Sequence, residues 1–146
     1  MQSKQVSNNK GEKLWILVLA SGEEAKDAIT AFAKQEKIRA ASFVALGAFS
    51  RAVVGYFDWE KKKYMPIPIN SQVEVITLVG DIAEDEKGEP SLHAHTVLGM
   101  SDGTTRGGHL IEGHVRPTLE VTLTETPAHL VRKKRPELGL ALIDIE

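Results

Sequence analysis

Chemistry in this sequence would have to centre on its histidines, because it contains no cysteine and therefore no thiolate ligand, thiol nucleophile or disulfide. His93 and His95 stand two apart in Leu92 to Leu98, a stretch that reads as a strand, so their imidazoles share one face. His109 opens the segment that returns after Asp102-Gly103, a strong turn signal. A strict two-residue turn would set His109 opposite Thr96, on the wrong face. A three-residue loop over Ser101 to Gly103 would set it opposite His95, and a glycine bulge at Gly107-Gly108 could also correct the phase.

Three converging imidazoles would hold a divalent transition metal. Zinc is the expected occupant, with iron, nickel or manganese as alternatives if a carboxylate joins the set. Three protein ligands leave one coordination position open, where an ion can lower the pKa of bound water or polarise a carbonyl. The competing reading makes these hydrogen-bonded surface or interface histidines. His114, five residues past His109, points the other way in a regular strand, and His129 follows Pro127 in a predicted exposed loop. Arg106, Glu112 and Arg116 lie near the pocket segment, where an arginine can grip a carboxylate or phosphate.

The elements that must position these residues follow from the apolar pattern. Leu14 to Ala20 is a short apolar run suited to a buried strand. Ser21, with Glu24 three residues on, predicts a helix start, and Ala25, Ala28, Ile29, Phe32 and Ala33 form one stripe through about Glu36. Strands are expected over Ala41 to Gly47 and Ala52 to Trp59, with a charged hairpin tip from Trp59 to Tyr64. Pro66 and Pro68 predict a local break in pairing. Gln72 to Ile82 alternates Val73, Val75, Thr77 and Val79 against Glu74, Ile76, Leu78 and Gly80. Further pieces are expected at Leu92 to Leu98, Gly108 to Val115, Thr118 to Thr124 and Leu138 to Ile145.

The fold class is therefore α+β, with a largely antiparallel sheet and one clear helix in the N-terminal half; regular strand-helix alternation is missing, which excludes a doubly wound nucleotide-binding domain. Residues 1–12 are too polar to bury and read as a flexible arm, leaving 13–146 as a single domain. The apolar density of Leu14 to Ala20 and Ile76 to Val79 predicts cover on both sheet faces, by the helix and by a second subunit or a curled sheet. A formal charge of -2 supplies no general attraction to nucleic acid, and no 18-residue apolar span or cleavable leader pattern is evident, so no membrane partner and a cytoplasmic location are expected.

Gly47-Ala-Phe-Ser50, Leu92-His-Ala-His95, Gly107-Gly-His-Leu110 and Gly113-His-Val-Arg-Pro-Thr-Leu-Glu120 together resemble the plant-and-prokaryote-conserved (PPC) domain over roughly Glu12 to Leu123. The resemblance implies an α+β homotrimer from a family often associated with DNA binding. The DNA hook of the plant relatives has an Arg-Gly-Arg-Pro core; the nearest stretch here, Arg132, Lys133, Lys134 and Arg135 before Pro136, lacks its glycine. It remains the candidate phosphate contact. The family fold also resembles a domain of acetolactate decarboxylase, whose zinc is held by three histidines including an H-x-H pair. That similarity matches His93 and His95 to the pair and His109 to the third ligand, with Arg116 and Glu120 as candidates for the enzyme's other polar groups. The leading expectation is a homotrimeric metal protein with a small-ligand, regulatory or DNA-binding role. The alternative is a metal-dependent, lyase-like or hydrolase-like enzyme acting on a small carbonyl or carboxylate.

Overall fold

The computed structural model of the chain describes residues 1–145. Its strands are β1 (Gln2–Asn9), β2 (Glu12–Ala20), β3 (Ala40–Asp58), β4 (Lys63–Ile69), β5 (Val73–Glu84), β6 (Pro90–Gly99), β7 (Thr105–Glu125), β8 (Val131–Arg135) and β9 (Leu140–Asp144), with the helix α1 (Ala25–Glu36) between β2 and β3. All nine strands belong to one sheet. Pairing is antiparallel apart from a single parallel bridge between Glu84 and Val131, so the α+β reading holds. No helix among the described residues is long and apolar enough to cross a membrane.

The sheet closes on itself because β3 and β7 are long enough to pair twice. The first half of β3 lies between β5 and the second half of β7, while Arg51 to Gly55 of β3 pairs with His114 to His109 of β7. The start of β7 then pairs with β6, and β6 pairs with β5. The expected breaks at Ala48 to Arg51 and at Arg116-Pro117 are absent. Bulges near both places bend the strands, so the hydrogen-bond ladder continues where the polarity pattern suggested loops.

The helix stripe is as the periodicity predicts: Ala25, Ile29, Phe32 and Ala33 are buried. Its cap is different. Glu24, not Ser21, is the N-cap residue; its carboxylate accepts from the Asp27 N–H at 2.8 Å and from the Gly113 N–H at 2.8 Å, pinning the helix start to β7. The core lies between α1 and the sheet's inner face, with Phe32 edge-on to Trp15 and Leu17, Leu19, Phe43, Leu78, Leu119 and Leu123 beneath.

Three other expectations are corrected. Residues 2–9 form a strand instead of a loose arm; every residue of β1 is exposed, so backbone bonds to β2 hold it and no apolar pattern announces it. Pro66 and Pro68 do not interrupt pairing, because β4 is an edge strand bonded to β3 alone and two residues of the same phase can both direct their missing N–H outward. In β5 a bulge between Val75 and Thr77 reverses the alternation, burying Val73 and Val75 before it and Leu78 and Ile82 after it. In β2, Trp15, Leu17 and Leu19 enter the core, while Val18 looks outward. That outer face also presents Val44, Leu46, Val79 and Val97, with Leu46 62% exposed.

Candidate metal centre

The outer face of β6 carries the histidine pair. Ala94, Thr96 and Leu98 point into the core, so the strand's period of two turns His93 and His95 outward. The hairpin to β7 has the odd loop: Met100 and Thr104 close it, with Met100 N–H donating to the Thr104 carbonyl at 2.8 Å, leaving Ser101 to Gly103 as the loop. His109 therefore pairs directly with His95, and no bulge at Gly107-Gly108 is needed because the β6–β7 register stays regular there.

The three side chains meet. His93 Nε2 lies 3.1 Å from His95 Nε2, and one ligand atom from each of the three imidazoles falls within 4.8 Å of the others. The His109 ring centroid is 5.3 Å from that of His93 and 5.4 Å from that of His95. A tetrahedral zinc with bonds of about 2.0–2.1 Å separates its nitrogen ligands by about 3.3 Å, close to the observed Nε2 pair. His109 Nδ1 is buried and has no hydrogen-bond partner, so this nitrogen is not committed to another group of the chain. The donor set is all nitrogen, borderline in softness, and suits a divalent transition metal.

The surrounding groups favour neutral, ligand-ready imidazoles. Burial, then the neighbouring His93 charge, lowers the His109 pKa to about 4, with Lys26, His95 and Arg132 adding to the effect. Burial and His93 also lower that of His95. Asp81, paired with His93 across β5 and β6, brings a carboxylate oxygen 3.6 Å from His93 Nδ1. Burial opposes its ionisation, but the neighbouring His93 and Arg132 outweigh that and hold its pKa below the usual carboxylate value. A carboxylate so placed stands where the outer partner of a metal-ligating histidine is usually found. Tyr64 stacks on His109 with centroids 4.2 Å apart and planes 20° from parallel. Gly55 makes room for it: a Cβ there would sit 3.0 Å from the Tyr64 ring.

A cavity of about 310 Å³ opens over the trio, lined by Tyr64, Leu92, Arg132 and the β9 residues Leu140 to Leu142 besides the histidines. The sequence offered no direct signal for Arg132, which arrives from a distant hairpin, or for Asp81, whose role depends on register. Arg106, Glu112, Arg116 and Glu120 are all exposed and none lines this cavity. Glu112 lies instead in a separate depression with Arg51 and His114, where His114 Nε2 is 3.3 Å from its carboxylate. His114 stays out of the trio, but not for the expected reason. A bulge between Val53 and Val54 pairs shifts the alternation of β7, burying Leu110, Gly113 and Val115, so His114 faces outward and is separated by its place along the strand. His129 is also engaged, contacting Glu84 and lying 3.1 Å from Arg39.

The Plants and Prokaryotes Conserved (PCC) domain model matches residues 6–127, most of the chain and all of the trio. The chain belongs to this PCC family. Among solved structures, a plant- and prokaryote-conserved protein from Pyrococcus horikoshii is 36% identical, with 91% of this PCC chain and 92% of that one covered and a TM-score of 0.85. A metal-containing protein from Archaeoglobus fulgidus is 32% identical, covering 89% and 91% of the two chains at a TM-score of 0.83. A Bacteroides thetaiotaomicron protein, named provisionally for DNA binding, is 25% identical over 98% and 96% of the chains at a TM-score of 0.90. Acetolactate decarboxylase from Bacillus subtilis shares the PCC fold alone, at 12% identity and a TM-score of 0.58 over 85% of this chain and 62% of that one. No curated protein matches the chain.

Proposed function

We propose that this PCC-domain protein is a divalent-metal protein in which His93, His95 and His109 hold zinc and leave one coordination position for a small ligand. The observation that carries the reading is the convergence of three imidazole nitrogens within 4.8 Å, with the Asp81 carboxylate 3.6 Å from one ring. The metal content of the Archaeoglobus fulgidus relative supports it. A bound ion would supply Lewis acidity there; the three histidines would hold it, with Asp81 beside the His93 ring. The cavity lining includes no carboxylic acid, which favours ligand binding over the alternative of a lyase or hydrolase. Metal analysis of protein purified without an affinity tag tests this: about one zinc per chain is expected, lost in a His93→Ala, His95→Ala double variant. Wild-type protein that takes up no transition metal under replete conditions refutes it.

The outer apolar face supports a homotrimer. Val44, Leu46, Val79 and Val97 are each more than a third exposed on neighbouring strands, a grouping of apolar side chains that suits contact with another copy. Sedimentation equilibrium should give three copies; a monomer at micromolar concentration ends that reading. A DNA-binding role has less support. Arg132 is buried against Asp81, and Lys133 and Arg135, though exposed, share the carboxylate of Asp144, so the run presents less net positive charge than its composition suggests. Retardation of duplex DNA near physiological ionic strength would reinstate it.

A further inference from the structure

We propose that Arg132 makes the tri-histidine centre a receptor for a small monocarboxylate with a short apolar tail, the carboxylate meeting both the guanidinium and the metal's open position. This deepens the metal-site reading and rests on it. Arg132 stands on β8, in the β8–β9 hairpin that follows the residues 6–127 matched by the family model.

Three observations carry the inference. First, Arg132 is 7% exposed and lines the cavity, yet its guanidinium is incompletely compensated: Nη2 donates to Asp81, while Nε is buried with no partner. A buried guanidinium left short of hydrogen bonds is expensive, and an anion is the group that completes it. Second, the acid it pairs with is shared, since Asp81 also lies against His93. With a divalent ion on the trio, the ion and Arg132 outweigh Asp81, and the local surplus of positive charge attracts an anionic ligand. Third, the rest of the lining comprises Tyr64, Leu92, Leu140, Ala141 and Leu142, which offers contact to hydrocarbon and nothing to a second charged group. A polyanion such as phosphate would leave charge against leucine. The cavity of about 310 Å³ admits a carboxylate of a few carbons.

The test is calorimetric titration of the zinc-loaded full chain with isobutyrate, with its uncharged isostere isobutyramide and with inorganic phosphate, alongside metal analysis of the same samples. Isobutyrate is expected to bind at least ~10-fold more tightly than either of the others, from the charge-assisted bonds that only it makes while burying its tail. Arg132→Met should abolish that preference while retaining about one zinc per chain. Because that variant strands Asp81 and can fail to fold, Leu142→Glu, at a 40% exposed position on the cavity rim, supplies the second arm. It should weaken isobutyrate ~10-fold or more by like-charge repulsion and leave zinc content unchanged. Equal binding of isobutyrate and isobutyramide, tighter binding of phosphate, or no weakening in folded Arg132→Met or Leu142→Glu, overturns the proposal while the zinc content upholds the metal site. Absence of zinc from the wild type overturns both.

Discussion

Replacing Gly80 with alanine tests whether the close packing of β5 on β6 places the histidine pair. Gly80 pairs with Ala94, between His93 and His95, and the Phe43 ring lies over it from β3. An added Cβ would be 2.5 Å from the His93 carbonyl oxygen, 2.5 Å from Phe43 Cζ and 2.8 Å from Cε1. Two of these atoms belong to a ring locked in the core and one to backbone, so none can swing away as a flexible side chain would. Overpacking of this kind costs roughly 1–3 kcal/mol, and a displaced ladder carbonyl adds a weakened hydrogen bond of about 1 kcal/mol. The lower backbone entropy of alanine in the unfolded chain returns about 0.5–1 kcal/mol. The net loss is about 1–3.5 kcal/mol, which at this chain length lowers Tm by roughly 3–14 °C.

The assay is thermal and urea denaturation of metal-free protein in chelator, so that altered metal binding does not enter. Phe43→Leu, alone and combined with Gly80→Ala, separates the contacts: with the ring removed, the alanine should be about 1 kcal/mol less damaging than in the wild-type background. Zinc affinity of Gly80→Ala should fall as well, since the strained carbonyl is that of His93. A Tm within about 2 °C of wild type, or strict additivity in the double variant, would show that β5 and β6 part freely and that this packing does not hold the site.

Asp81→Asn should reduce zinc affinity by about 10- to 100-fold, by loosening the His93 ring, with competition against a chromogenic chelator as the measurement. His109, with a pKa near 4 against 6.5 unfolded, contributes stability to the metal-free protein that is complete above pH 6.5 and is lost as pH falls toward 4. Screening at a partly open ring leaves about 1–2 kcal/mol of this, so His109→Gln should flatten the wild-type stability curve between pH 6.5 and 4.5; parallel curves would contradict the assignment. If the proposed trimer forms through the outer face, Leu46→Glu should convert it to smaller species on sedimentation with little loss of secondary structure, because Leu46 makes no part of the core.

The histidine site was legible because strand parity is a local rule. His93 and His95 had to share a face, and the loop length between β6 and β7 was the single unknown on which His109 depended; Ser101 to Gly103 resolved it. The helix stripe was legible for the same reason. What escaped the sequence depends on neighbours distant in the chain. β1 has no buried face to leave a pattern, the bulge at Val75 and Thr77 inverts an alternation that reads as continuous, and β3 and β7 stay paired through bends that resemble loops. His114 shows how the local rule fails. Its exclusion rested on five regular residues, and one bulge restored it to the outer surface, where only distance keeps it from the trio.

Arg132 reverses the relation between composition and role. In sequence it is the first of four basic residues and reads as part of a phosphate-binding run, but a charge run acts as one only if its members share an environment. In strand β8 they do not: Arg132 turns inward to Asp81 and the cavity, while Lys133 and Arg135 meet Asp144 of β9 at the surface. The same hairpin therefore takes charge away from a nucleic-acid surface and delivers it to the histidine centre. Asp81 links the two ends of that arrangement, bound to Arg132 on one side and facing His93 on the other. An anion entering the cavity would draw on Arg132 and leave more of the Asp81 charge to His93, strengthening the donor set of the metal it approaches. Ligand and metal should accordingly bind with positive coupling, and zinc affinity measured with and without isobutyrate should differ in that direction. Equal zinc affinities would show that isobutyrate does not reach the metal's open position.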